Sequence, residues 1–312
     1  GGAVYLTAGK LSVSGCSFTG NSAKTGGAID TKTKVGIQMT VADSTFSANT
    51  ATTNGGAINL MDTNTMTATN TAFTGNKTTK SAANKGGAAV YVANTSASFD
   101  GCTFTENTVA GNTDSVGGAL CFYAVSASQT AITVSGSTFT GNTAPNGGAI
   151  GLSDSGSFRS GRAIVNWTDC SFTGNSAAGK GGAIAIPYSC ENAMHCVVTL
   201  SGCTYSGNTA AQEPNFYSAD KLNITVDGKV LDPSTTTGNP NYVAYTDVSV
   251  VPNVTDSVGT ALPDLAGMAV VGDYAYSVKL KTAAKPSGDT TNYHRGEHAT
   301  PICPCRTASR AR

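Results

Sequence analysis

Residues 117–150 read GGALCFYAVSASQTAITVSGSTFTGNTAPNGGAI: a Gly-Gly-Ala turn, a stretch alternating through Ile132 and Val134, a Phe-Thr-Gly-Asn tetrapeptide, and then the next Gly-Gly-Ala. The cycle recurs seven times. Its Gly-Gly pairs start at Gly1, Gly26, Gly55, Gly86, Gly117, Gly147 and Gly181. The aromatic-x-x-Asn partners, 17 to 25 residues further on, are Phe18–Asn21, Phe46–Asn49, Phe73–Asn76, Phe104–Asn107, Phe139–Asn142, Phe172–Asn175 and Tyr205–Asn208. A unit of about 30 residues cannot bury a core of its own, so the units must stack on one another.

Each unit reads as three short strands. Seven and five residues before the motif aromatic stand Leu11/Val13, Met39/Val41, Met66/Ala68, Ala97/Phe99, Ile132/Val134, Val165/Trp167 and Val198/Leu200, the alternation of a strand with one buried face. Three before it come Gly15, Asp43, Asn70, Gly101, Gly136, Asp169 and Gly202, residue types that tolerate a left-handed backbone and so mark a corner. Two before it lies a small residue, Cys16, Ser44, Thr71, Cys102, Ser137, Cys170 or Cys203, sharing a face with the aromatic in a second strand, and the four cysteines are read as small buried hydrophobes. The third strand follows the double glycine. Its inward pairs are expected to be Val4/Leu6, Ile29/Thr31, Ile58/Leu60, Ala89/Tyr91, Leu120/Phe122, Ile150/Leu152 and Ile184/Ile186. No segment shows a helical period.

Three strands and three corners make one turn of a parallel β-helix, rising about 4.8 Å per coil. Equivalent residues then lie above one another, giving a column of stacked aromatics and a ladder of asparagines. Asparagines stacked in this way satisfy each other's amides, so the ladder needs no ligand to explain it. A left-handed β-helix would need a six-residue period, and a leucine-rich repeat would need its leucine consensus; neither is present.

Nineteen basic residues balance nineteen acidic ones, and only 12% of the chain is charged. With no basic stripe, nucleic acid is not an expected partner. No apolar run is long enough to span a membrane, and no cofactor or metal is expected. The chain opens directly on a Gly-Gly-Ala motif, without an initiating Met or a secretory signal, and is expected to be a fragment of a longer protein.

After Asn208 the pattern stops. Residues 1–218 are read as a seven-repeat β-helix, 219–290 as a small β module or the start of one, and 291–312 as a disordered or aberrant tail. Within the module, Leu222–Val226 and Lys229–Leu231 read as strands joined by an Asp-Gly turn at 227–228. In the tail, His294, His298, Cys303 and Cys305 fit no common zinc spacing. Cys190 and Cys196 flank an insert and are either free or closed into a small disulfide.

Gly-Gly-Ala-Ile at 26–29, 55–58, 147–150 and 181–184, alternating with Phe-Thr-Gly-Asn at 18–21, 73–76, 139–142 and 172–175, resembles the repeats of chlamydial polymorphic membrane proteins. The likeness extends over residues 1–218. It implies an all-β, right-handed, pectin-lyase-like parallel β-helix, displayed at a bacterial surface as an autotransporter adhesin passenger. The expected partner is a host-cell surface protein or glycan, and the sequence leaves the oligomeric state open.

The competing reading is a polysaccharide lyase or glycoside hydrolase, which needs clustered carboxylates. The repeats hold nine acids: Asp30, Asp43, Asp62, Asp100, Glu106, Asp114, Asp154, Asp169 and Glu191. Asp43 and Asp169 share a column but lie four coils apart, about 19 Å. No catalytic set is therefore assigned, and the expectation is a protein without enzymatic activity. A passive stalk is the third reading. If the surface binds a partner, the segments that exceed the minimal repeat are the place to look. These are Lys77–Lys85, Thr108–Val116, Asp154–Arg162 and Pro187–Cys196, carrying Lys77, Lys80, Lys85, Arg159 and Arg162.

Overall fold

In the computed structural model, described over residues 1–31, 36–62, 65–123, 129–153, 162–187, 196–219, 223–227, 229–230 and 268–271, every element is a β-strand. The chain winds as a parallel solenoid with seven aromatic-x-x-Asn rungs. Strands after the Gly-Gly-Ala turns form sheet A, from Val4–Leu6 to Ile184–Ile186, extended by Phe216–Ala219 and Met268–Val271. The alternating strands form sheet B, from Lys10–Ser14 to Cys196–Ser201, extended by Asn223–Val226. Sheet C holds the motif aromatics, from Ser17–Thr19 to Thr204–Ser206.

A fourth sheet departs from the three-strand reading. Sheet D is built from mostly two-residue strands directly after the asparagine: Ser22–Ala23, Thr50–Ala51, Thr143–Ala144 and Ser176–Ala177, with longer Lys77–Ser81 and Thr108–Gly111 between them. The polar residue points out and the alanine in, but two residues are too short to display a period.

Register is strict where the sequence repeats. In sheet B, Leu11 pairs with Met39, Met39 with Met66, Met66 with Ala97, Ala97 with Ile132, Ile132 with Val165 and Val165 with Val198. From Met39 onward these side chains are buried, and with the inward residues of sheets A and C they form one continuous core. Burying that contiguous apolar column is what drives the stack together.

The fourth repeat corrects one set of inward residues. Val90 and Val92, not Ala89 and Tyr91, pair with Ile58/Leu60 on one side and Leu120/Phe122 on the other. The left-handed corner falls on Gly87 (φ 63°), and Gly86 bridges Val116, a position outside the motif. Sliding the turn by one residue sends Tyr91 outward. There it is nonetheless buried, in a small cluster with Ala93, Val116 and Cys121, flanked by Met61 and Tyr123.

Three columns hold a left-handed backbone. The anticipated corner does so in every coil: Gly15, Asp43, Asn70, Gly101, Gly136, Asp169 and Gly202 have φ of 46–62°. A second column, just before the ladder asparagine, was not anticipated: Gly20, Ala48, Gly75, Glu106, Gly141, Gly174 and Gly207 have φ of 53–67°. The third is the turn glycine, where a side chain is excluded twice over. At Gly147 φ is 60°, and an added Cβ would run into the Ile150 carbonyl. Gly174 has the same backbone (φ 63°) with open space around it.

From residue 219 onward, the described strands add to existing sheets. Asn223–Val226 pairs in parallel with Cys196–Ser201, and Met268–Val271 pairs with Phe216–Ala219. Lys229–Val230 pairs antiparallel with Asn223–Val226, with Thr225 opposite Val230 and Val226 opposite Lys229. Residues 291–312, with His294, His298, Cys303 and Cys305, lie outside the described residues.

The glycine columns yield a graded expectation. Gly174→Ala should cost about 1–2 kcal/mol, the left-handed penalty alone. Gly147→Ala should cost clearly more, and Ala48→Gly should stabilise by up to about 1 kcal/mol. Urea unfolding of the three variants, compared at constant m-value, checks the order.

Candidate functional site

The interior spine is polar as well as aromatic. The rings of Phe18, Phe46, Phe73, Phe104, Phe139, Phe172 and Tyr205 stack in one column, with centroids 4.7–5.2 Å apart and planes within 12° of parallel. Beside them runs the ladder of Asn21, Asn49, Asn76, Asn107, Asn142, Asn175 and Asn208. Each amide Nδ2 donates to the Oδ1 of the next asparagine at 2.8–3.0 Å. From Asn49 on, Nδ2 also donates to the motif aromatic's carbonyl one coil back, at 2.9–3.0 Å. Each accepting Oδ1 takes a second bond, from the backbone N–H of the asparagine before it, at 3.0–3.1 Å. The side chain thus uses both hydrogens and both lone pairs, which is why it tolerates complete burial.

The small column carries a function that the hydrophobe reading missed. Ser44, Thr71 and Ser137 donate their hydroxyls to the carbonyl two residues earlier, at 2.7, 2.8 and 2.9 Å. Cys16, Cys102, Cys170 and Cys203 do the same with their thiols, at 3.3–3.7 Å. The column holds Ser, Thr and Cys but never Ala, and the shared property is a short donor, not size alone.

Burial pushes the Cys102 thiol up to about 11. It takes Cys121, behind sheet A, to about 12.

The candidate binding residues separate. Lys77–Ser81 and Thr108–Gly111 are paired strands of sheet D, with a register shift between Thr78 and Ser81, and so are not the free corner loops that were expected. Lys77 and Lys80 are exposed on this sheet, whereas the Lys85 ammonium lies 5.7 Å from the centre of the Tyr123 ring. Arg162 opens a strand whose backbone pairs with Gln129. Arg159 and Cys190 lie outside the described residues, as does the side chain of Cys196, so the disulfide expected between 190 and 196 does too.

Three of the described carboxylates are engaged in short local bonds. Asp62 accepts from Asn94 at 2.8 Å, Asp100 from Ser135 at 2.6 Å, and Asp30 from Asn59 and Thr25 at 2.7 Å each. Among the described residues no group of three His, Cys, Asp or Glu is placed to hold a metal ion, and no helix is long and apolar enough to cross a membrane.

The variable segments share one edge. Residues 32–37, 124–128, 154–161 and 187–195 all connect a sheet A strand to the following sheet B strand, whereas 7–9, 62–64 and 94–95 suffice in the first, third and fourth coils. The other corners hold nearly constant lengths, apart from the excursion in the third and fourth coils.

A parallel solenoid with this repeat defines a class. Residues 1–163 match the family described as Right handed beta helix region, and the chain belongs to that family. Residues 169–187 match the Chlamydia polymorphic membrane protein repeat, so the Gly-Gly-Ala and Phe-x-x-Asn units are repeats of that type. This combination points to a surface, passenger-type protein. Comparison with curated proteins and with solved structures gave no match.

Two outcomes are expected. Asn107→Ala leaves both N–H donors of Asn76 without an acceptor and should cost about 3–5 kcal/mol, against about 1 kcal/mol for Asn21→Ala at the half-buried end of the ladder. Thermal unfolding of the two variants reads the difference. At pH 8 Cys102 and Cys121 should resist alkylation in the native protein, both being protonated well below their raised pKa values, and become reactive on denaturation. Mass mapping of labelled peptides checks this.

Proposed function

We propose that this protein is a non-enzymatic surface passenger that binds a host-cell surface protein or glycan through the edge between sheets A and B. The observation that carries the reading is the polymorphic membrane protein repeat built into a continuous right-handed β-helix. The edge is favoured because length and composition vary from coil to coil only where the ladder and the stack are not disturbed, and recognition segments on rigid scaffolds sit in such places. Arg159 and Arg162 lie within or beside one of the two longest of these segments. The nearly uncharged remainder of the surface leaves partner choice to such local groups.

Absence of catalysis is supported by the distribution of acids. The described carboxylates are spread along the solenoid, and Asp30, Asp62 and Asp100 are spent on neighbouring amides and hydroxyls. A glycosidase pair needs two free carboxyls about 5–10 Å apart across one sugar.

Purified protein should bind host cells or an immobilised glycan panel. Replacing 155–160 and 188–195 by short turns should weaken binding about tenfold or more without moving the unfolding midpoint. Removing two whole coils separates a stalk from an adhesive edge, since a stalk tolerates shortening. Release of reducing ends or of an unsaturated uronate from a polysaccharide would overturn the non-enzymatic assignment.

A further inference from the structure

Cys170 and Cys203 occupy the same inward column on consecutive coils. Among the described residues no other two cysteines of that column are adjacent, because Cys16 faces Ser44, and Cys102 lies between Thr71 and Ser137. The strands that begin one residue later, Ser171–Thr173 and Thr204–Ser206, pair in register. The Thr204 N–H donates to the Cys170 carbonyl at 2.9 Å, so the ladder holds the two cysteines level. Equivalent Cα atoms on neighbouring parallel strands lie about 4.8 Å apart. Disulfides form across about 4.4–6.8 Å.

We propose that Cys170 and Cys203 are a coil-to-coil dithiol that oxidises to an intramolecular disulfide by exchange with a small-molecule disulfide such as oxidised glutathione. The Cys203 thiolate attacks one sulfur of the small disulfide, forming a mixed disulfide and expelling one glutathione thiolate. Cys170 gives up its proton to solvent, attacks the Cys203 Sγ, and displaces the second glutathione thiolate. Two protein thiols are oxidised to one S–S bond, and one small disulfide is reduced to two thiols.

The order of attack follows from the surroundings. Cys203 is half-buried, whereas Cys170 is almost fully enclosed, so only Cys203 meets the incoming disulfide. The neighbouring thiol lowers Cys203 and raises Cys170; burial raises Cys170 further. The more acidic, more accessible sulfur is the attacking one, and the enclosed sulfur resolves the adduct.

Oxidation surrenders only weak bonds, from the Cys170 Sγ to the Thr168 and Val134 carbonyls at 3.3 and 3.4 Å and from the Cys203 Sγ to Trp167 and Ser201 at 3.5 and 3.7 Å. The new covalent loop encloses residues 187–195, tying together the two coils that carry this long edge segment. Closing a loop of that length restricts the unfolded chain and favours the folded one.

The whole chain is incubated with oxidised glutathione, blocked with an alkylating reagent, digested and mapped by mass. A peptide joining Cys170 to Cys203 is expected, two hydrogens lighter than the sum of its parts, with a rise in unfolding midpoint that a reducing agent reverses. Ser fills this column at positions 44 and 137, so C170S and C203S should retain the fold. C170S should stop at a stable glutathione adduct on Cys203, and C203S should leave Cys170 unmodified. Cross-links from Cys203 to Cys190 or Cys196, or a wild-type adduct on Cys203 that never resolves onto Cys170, would overturn the proposal.

Discussion

The asparagine ladder is the constraint to which the rest of the structure conforms. A primary amide buried in an apolar interior is tolerable only if both hydrogens and both lone pairs find partners. Here the partners are supplied by the coils before and after, in one geometry repeated from Asn49 to Asn175. Shifting a single coil by one residue would orphan donors on one side and acceptors on the other. The ladder therefore imposes register on sheets C and D and, through them, on the whole solenoid. The stacked rings add apolar area in the same register but would tolerate sliding that the amides do not.

The second consequence is where variation is allowed. The segment between the corner residue and the asparagine is constant in length, because it carries the donor column, the aromatic and the left-handed residue that aims the amide inward. Ala48 and Glu106 hold that backbone without glycine's freedom, a sign that the amide geometry overrides local preference. The A-to-B edge is far from the ladder and free to lengthen. In the third and fourth coils the D-to-A side also departs. Strands Lys77–Ser81 and Thr108–Gly111 lengthen, the turn glycine moves to Gly87, and Tyr91 and Cys121 are buried outside sheet A instead of being exposed.

A stack of this kind suits display. Its faces are lined by serine and threonine with little charge, its interior is continuous, and its edge segments can change without touching the spine. The dithiol at Cys170 and Cys203 fits the same logic. It sits in the donor column, where a thiol already replaces a hydroxyl without loss of the corner bond.

The period, the inward faces of sheet B, the corner column and the ladder were legible in the sequence because each rests on residues of one physical kind recurring at fixed distance from the motif aromatic. Sheet D was not, since two residues show no alternation, and the donor role of the Ser/Thr/Cys column was hidden behind its small size. Tertiary structure alone decided the phase of the fourth coil. Gly86-Gly87-Ala88-Ala89 can be threaded in two ways that look alike locally, and only pairing with Ile58 and Leu120 on the neighbouring coils brings Val90 inward and Tyr91 out. It also decided that Lys77–Lys85 and Thr108–Val116 would stack on each other. A segment's own composition carries no record of which strand lies one coil above it.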